Sequence, residues 1–186
     1  PRRRARYPNF YLDRLDSVSD RSGTEDLAAE AQQETPSAGF ISSRRRRGYM
    51  TDLVTFGETM LRFSPPGEVR LETADQYDVH VAGAESNVAV AAQRLGLDTA
   101  WISKLPDSPV GRRVAGELRN HGVDVDVVWD DSPERRQGTY YFEQGQPPRG
   151  SDVIYDRARA SVTTATPEAL STETIEHAAC FHTTGI

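Results

Sequence analysis

The sequence predicts an α/β fold: a central, mostly parallel sheet flanked by helices, with a small β-flap (lid) on one side. Three observations carry that expectation. From residue 50 onward, short apolar runs alternate with amphipathic segments of about a dozen residues, the pattern of βαβ units. Two stretches, 60–81 and 138–155, break the alternation with strand-like rather than helical patterning. A strand-forming segment also closes the 186-residue chain, where a parallel sheet would ordinarily continue, so the polypeptide reads as the front part of a larger α/β protein.

Each element has its own local reason. Leu53 to Phe56 is apolar and short, as a buried central strand should be. Met60 to Ser64 is a second strand, closed by the turn Pro65-Pro66-Gly67. Tyr77 to Val81 follows as a third. Ala84 to Leu95 reads as a helix with Val88, Ala91, Ala92 and Leu95 recurring at i, i+3, i+4 and i+7, and Gly96 stops it. Thr99 to Ser103 is a strand. Pro109 to Asn120 is a helix, with proline tolerated in its first turn and Gly122 beyond its end. Val125 to Trp129 is the next strand. Gly138 to Glu143 and Asp152 to Tyr155 form two strands around the polar loop Gln144 to Ser151. Pro167 to Ala178 is read as a helix and Ala179 to Thr183 as a final strand.

Charge divides the chain at residue 50. The first 49 residues carry ten arginines against seven acids; the remainder carries twelve basic residues against twenty-one acids, for a net charge of −6. The leading segment has no strand alternation or helical stripe, and Met50 opens the first apolar strand. Residues 1–49 therefore read as a disordered or non-native N-terminal extension, and 50–186 as the folded part. The run Arg44 to Arg47 has no aromatic platform beside it and precedes an acidic domain, so it is taken as solvated rather than as a nucleic-acid contact. Arg-rich, lysine-poor, acidic composition fits a GC-rich or salt-adapted source. A single cysteine, Cys180, excludes an internal disulfide framework and is expected as an inert thiol in an apolar strand. That, with no apolar run long enough to span a bilayer, favours a cytoplasmic protein without a membrane partner. His80, His121, His177 and His182 lack metal-ligand spacing.

The most informative stretch is Val81 to Gly96. Gly83 stands at a strand–helix junction, where a glycine lets a ligand approach the backbone and the first-turn N–H groups face outward. Asn87 lies in that first turn and can both donate to and accept from a hydroxyl. A capped helix start with Gly83 in the turn is the alternative. Glu58, at the end of the first strand, is either a ligand-facing acid or a solvated strand end.

Taken together, Phe56-Gly57-Glu58, the segment Gly83-Ala84-Glu85-Ser86-Asn87-Val88-Ala89 followed by Leu95-Gly96-Leu97, the segment Leu105 to Gly111, and His121-Gly122-Val123 resemble, in order, the motifs of the ribokinase-like (PfkB) carbohydrate kinase family. Within that family the chain looks most like the 2-keto-3-deoxygluconate kinases, at Gly138 to Phe142, Val153 to Arg157 and Cys180 to Ile186. The resemblance implies a substrate-binding set of Gly83, Ala84 and Asn87 on the sheet side, with Tyr140, Tyr155 and Arg157 on the flap side. Arginine offers a planar fork for a sugar carboxylate; ordinary flap packing with a solvated charge is the alternative for Tyr155 and Arg157.

By the same resemblance, ATP and Mg2+ serve the intact enzyme, the product is the 6-phosphate, and a homo-oligomer forms through the flap. The catalytic aspartate, the anion hole and the nucleotide-binding segments are expected beyond Ile186, so no catalytic residue and no bound cofactor are assigned within the chain. Pro106 stands where the family has glycine, so the turn there must differ. A fructokinase, another ribokinase-like sugar kinase, or a non-catalytic sugar-binding or dimerising fragment are the competing readings.

Overall fold

Two four-stranded sheets organise the computed structural model, which describes residues 50–185. The expectation for residues 1–49 lies outside the described residues. The first sheet contains β1 (Leu53–Phe56), β4 (Thr99–Pro106), β5 (Asp124–Asp130) and β8 (Phe181–His182) in the order β5-β4-β1-β8, with every pairing parallel. The second contains β2 (Met60–Ser64), β3 (Asp78–Ala82), β6 (Thr139–Glu143) and β7 (Asp152–Asp156) in the order β3-β2-β6-β7. Here β2–β3 and β6–β7 are antiparallel, whereas β2–β6 is parallel. The two interruptions seen in the sequence are thus halves of one flap sheet.

The central strands of the first sheet are covered on both faces. Leu53, Val54 and Thr55 of β1 are buried, as are Thr99 to Ser103 of β4, the continuous burial expected of a parallel sheet between layers. On one face Trp101 and Leu105 pack with Val114, Ala115 and Leu118 of α2 (Pro109–Asn120) and Ala89 of α1 (Ala84–Arg94). On the other, Val54, Ala100 and Ile102 meet Leu170, Ile175 and Ala178. Leu61 of β2 belongs to the first cluster, with Phe63, Val79 and Val81 packed against it, so one face of the flap is joined to the main core. Strand alternation then puts Arg62, Tyr140 and Tyr155, which are register partners, on the flap's other face.

Helix α2 starts as expected. Pro109 occupies the first turn, and the Ser108 hydroxyl accepts from the Gly111 N–H at 3.2 Å. Beyond Pro106, the last residue of β4, the Ser108 N–H donates to the Pro106 carbonyl at 2.8 Å, closing a tight turn that needs no glycine.

Helix α1 corrects the sequence stripe. Its buried residues are Glu85, Ser86, Ala89 and Ala92, while Val88 is 38% and Leu95 81% exposed. The small residues let the helix lie close to β1 and β4, and the larger apolar ones turn outward. The C-terminal elements are also shorter than expected. The span 167–178 divides into a 3-10 turn, Pro167–Ala169, and the five-residue helix α3 (Thr172–Glu176). Leu170 between them is extended, and Ser171 and Thr174 hydrogen-bond through their hydroxyls at 2.9 Å, local bonding that competes with a helix. Only Phe181 and His182 form the last strand, so Cys180 lies before it and is exposed rather than a core thiol.

Candidate functional site

The first strand ends in Gly57-Glu58, and the chain turns there from the main sheet into the flap. Glu58 sits at the centre of this junction. Its side chain is 11% exposed, and one carboxylate oxygen lies 2.6 Å from Nη2 of Arg157, one residue beyond β7. Neither Glu58 oxygen has an aligned hydrogen bond, so the contact is an ion pair across the root of the flap. Burial pushes the Glu58 carboxyl above its ordinary range; Arg157 pulls it down, and the neighbouring Glu85 adds to the rise.

Two glycines make room for these acids. A Cβ on Gly138 would fall 2.3 Å from Oε1 of Glu58, and one on Gly57 would fall 2.2 Å from the Glu85 carboxylate. Glu85, buried in the first turn of α1, accepts from the Thr184 N–H at 3.0 Å and from the Thr184 hydroxyl, joining the helix start to the segment after β8.

Gly83 is the N-cap of α1, with an extended backbone at φ −161°. A Cβ there would meet the Glu58 carbonyl at 2.4 Å and the Thr59 hydroxyl at 2.8 Å. The glycine is therefore required by close packing of the first strand's end, in addition to any ligand. Asn87 and Ala84 are exposed on the same first turn. On the flap, Tyr140 faces Tyr155 across the β6–β7 pair with ring centroids 5.7 Å apart. Burial raises the Tyr140 phenol's pKa, opposed by Arg62. The opposite flap face carries a second aromatic group, Phe63 stacked on Tyr141 at 5.6 Å with Tyr77 edge-on.

The structure thus packs Gly83 against the Glu58 backbone carbonyl, sets Arg157 against the Glu58 carboxylate, and pairs Tyr140 with Tyr155. Among the described residues, Ala84 and Asn87 make no hydrogen bond or ion pair with the flap residues. Sequence reasoning marks Glu58 as a strand-end acid but does not find its arginine partner, because residues 58 and 157 meet only when the flap folds back. It also misses Gln137, whose amide donates to the Thr59 carbonyl at 2.6 Å and ties the flap's two roots together. A lone glutamine gives no local signal of such a role.

With this geometry in place, comparison with known proteins is decisive for the family. Residues 50–186 match the model of the pfkB family carbohydrate kinases. The chain belongs to the PfkB carbohydrate kinase family. Over 135 residues it is 62% identical to a 2-dehydro-3-deoxygalactonokinase of Haloferax volcanii, an alignment covering 73% of this chain and 42% of that protein. The crystal structure of a 2-dehydro-3-deoxygluconokinase from Thermotoga maritima is similar at 40% identity and TM-score 0.67, over 71% of this chain and 40% of that one. Fructokinase-1 of Zea mays is 34% identical over 131 residues, covering 70% of this chain and 40% of that protein. The chain thus spans about two fifths of the length of the relatives it matches.

Kinases of the PfkB family use ATP. Lys104, the chain's single lysine, sits 3.4 Å from Asp130, with both side chains largely buried. No group of three His, Cys, Asp or Glu among the described residues could hold a metal ion.

Proposed function

We propose that this chain supplies the sugar-binding part of an ATP-dependent kinase for 2-dehydro-3-deoxy sugar acids (2-keto-3-deoxygluconate or its galactonate epimer), which places the new phosphate on the terminal hydroxyl to give the 6-phosphate. The observation carrying the reading is Arg157, whose side chain is 42% exposed at the flap root with one nitrogen engaged by Glu58. Arginine has five N–H donors in a planar fork, so donors remain for a carboxylate. The identity to the Haloferax volcanii kinase supports the same class of substrate.

In this reading Gly83, Ala84 and Asn87 meet the sugar's hydroxyls from the helix start, Tyr140 and Tyr155 contact it from the flap, and Arg157 takes the carboxylate. The chain's own contribution is to bind and orient the sugar; MgATP is the phosphate donor, and the base that removes the hydroxyl proton is not among these residues. Exposed Val153, Ile154 and Tyr155 on β7 support self-association through the flap. A cytoplasmic setting goes with this reading. Likeness to fructokinases favours a second reading, a neutral ketose as substrate.

Calorimetric titration of the chain with 2-keto-3-deoxygluconate, its galactonate epimer and fructose tests the assignment. An acid should bind at least about tenfold more tightly than fructose, the worth of one charge-assisted contact. Fructose binding as tightly as either acid would favour the second reading.

A further inference from the structure

We propose that Glu58 is a positioning residue that presents the Arg157 fork to the sugar carboxylate, and so sets the preference for sugar acids over neutral ketoses. The inference rests on the sugar-acid reading above and goes one residue further. Arg157 alone, on a turn past β7, would sample many rotamers, since a long cationic side chain keeps its freedom at a surface. Glu58 removes that freedom from below. Its carboxylate is lodged against Gly138, where no side chain fits, and it holds Nη2 of Arg157 at 2.6 Å. The Glu58 side chain is 11% exposed and that of Arg157 42%, so one nitrogen is engaged by a nearly buried acid while much of the arginine side chain remains open to solvent. The turn behind it is fixed as well, the Ala160 N–H donating to the Arg157 carbonyl at 3.2 Å.

The pair is poorly suited to a purely structural role. A small cavity at the flap root is lined by Glu58, Thr59, Gln137 and Ser161, each with a buried polar atom lacking a partner there. A carboxylate so placed loses hydration that a single off-line ion pair does not replace, and burial outweighs Arg157 in shifting its protonation. A buried acid held against a half-exposed arginine is explained by what it does to Arg157.

The test uses the complete chain and two variants, Glu58→Gln and Glu58→Asp. The first removes the charge with little change of shape; the second keeps it but withdraws it by one methylene. Affinities for 2-keto-3-deoxygluconate, its galactonate epimer and fructose are measured by calorimetry, with thermal unfolding followed in parallel. Both variants should lose about tenfold in affinity for whichever acid the wild type prefers, while fructose changes less than about twofold. Glu58→Gln should unfold no earlier than wild type.

An acid affinity held within about twofold in the variants overturns the proposal and leaves the sugar-acid reading standing. So does an equal loss for acid and fructose, or earlier unfolding with unchanged selectivity; each would make Glu58 a structural clamp. Wild-type protein that shows no preference for an acid, or binds none of the three, defeats the sugar-acid reading itself, and the proposal with it. If Glu58→Gln does not fold, Glu58→Asp decides alone by the same ratio.

Discussion

Gly83 shows how one residue can answer to a second physical demand. Its place before a helix suggests backbone access for a ligand; its missing Cβ also accommodates the Glu58 carbonyl and the Thr59 hydroxyl. Gly83→Ala should therefore destabilise the fold even without sugar, by about 1–3 kcal/mol as overpacking does. Urea unfolding checks this, and an unchanged midpoint would mean the strand end shifts freely. Glu58 makes a second prediction, with a definite sign. Because its carboxyl is raised in the folded state, the native protein holds more protons than the unfolded chain between the ordinary carboxylate range and that raised value. Stability relative to Glu58→Gln should accordingly fall as pH rises through the window and then level off. A relative stability that rises with pH would mean that Arg157 outweighs burial.

Among elements, those with strong local chemistry are the legible ones. Helix α2 has Pro109 inside its start and Gly122 beyond its end, and it spans the residues expected. Ser108→Ala should cost about 1 kcal/mol, within the usual range for an N-cap, measured as a shift in the urea midpoint at constant m. The helix expected over 167–178 fails because periodicity ignores the Ser and Thr side chains that bond locally at 171 and 174. Helix α1 is visible in the sequence, but its buried face is only partly so: Ala92 of the expected stripe is buried, whereas Val88 and Leu95 are exposed and Glu85, Ser86 and Ala89 are buried in their place. The flap strands are each visible, yet their union is not, since the β2–β6 pairing joins segments far apart in sequence. A double-mutant cycle on Tyr140→Phe and Tyr155→Phe isolates the hydroxyl part of that cross-strand contact. Tyr155→Ala with Tyr140→Ala isolates the ring pair, whose coupling should be about 0.5–1.5 kcal/mol.

At the scale of the whole molecule, the family match begins at the same Met50 that the composition marks as the start of the apolar pattern. A chain expressed from Met50 should retain the thermal midpoint of the 186-residue form, with a difference below about 1 kcal/mol. A larger loss would show that residues before 50 contribute to the folded state. The proposed sugar-binding set is named from motifs. What the motifs cannot supply is the arrangement among them, because ion pairs such as Glu58–Arg157 depend on where the flap returns to the sheet.

That return also bears on the order in which the molecule assembles. Leu61 pairs with Thr139 and Arg62 with Tyr140 in parallel, so the flap closes only after the intervening β3–α1–β4–α2–β5 segment has been accommodated. Contacts between residues so distant along the chain are entropically late. In refolding, the environment of Trp101, buried on β4 beneath α1 and α2, should mature before the Tyr140–Tyr155 pair forms. A nascent chain on the ribosome would carry β2 and β3 as an unpartnered hairpin, with the β2 edge open, until residue 143 has emerged. During that interval the exposed edge invites pairing with a neighbouring chain.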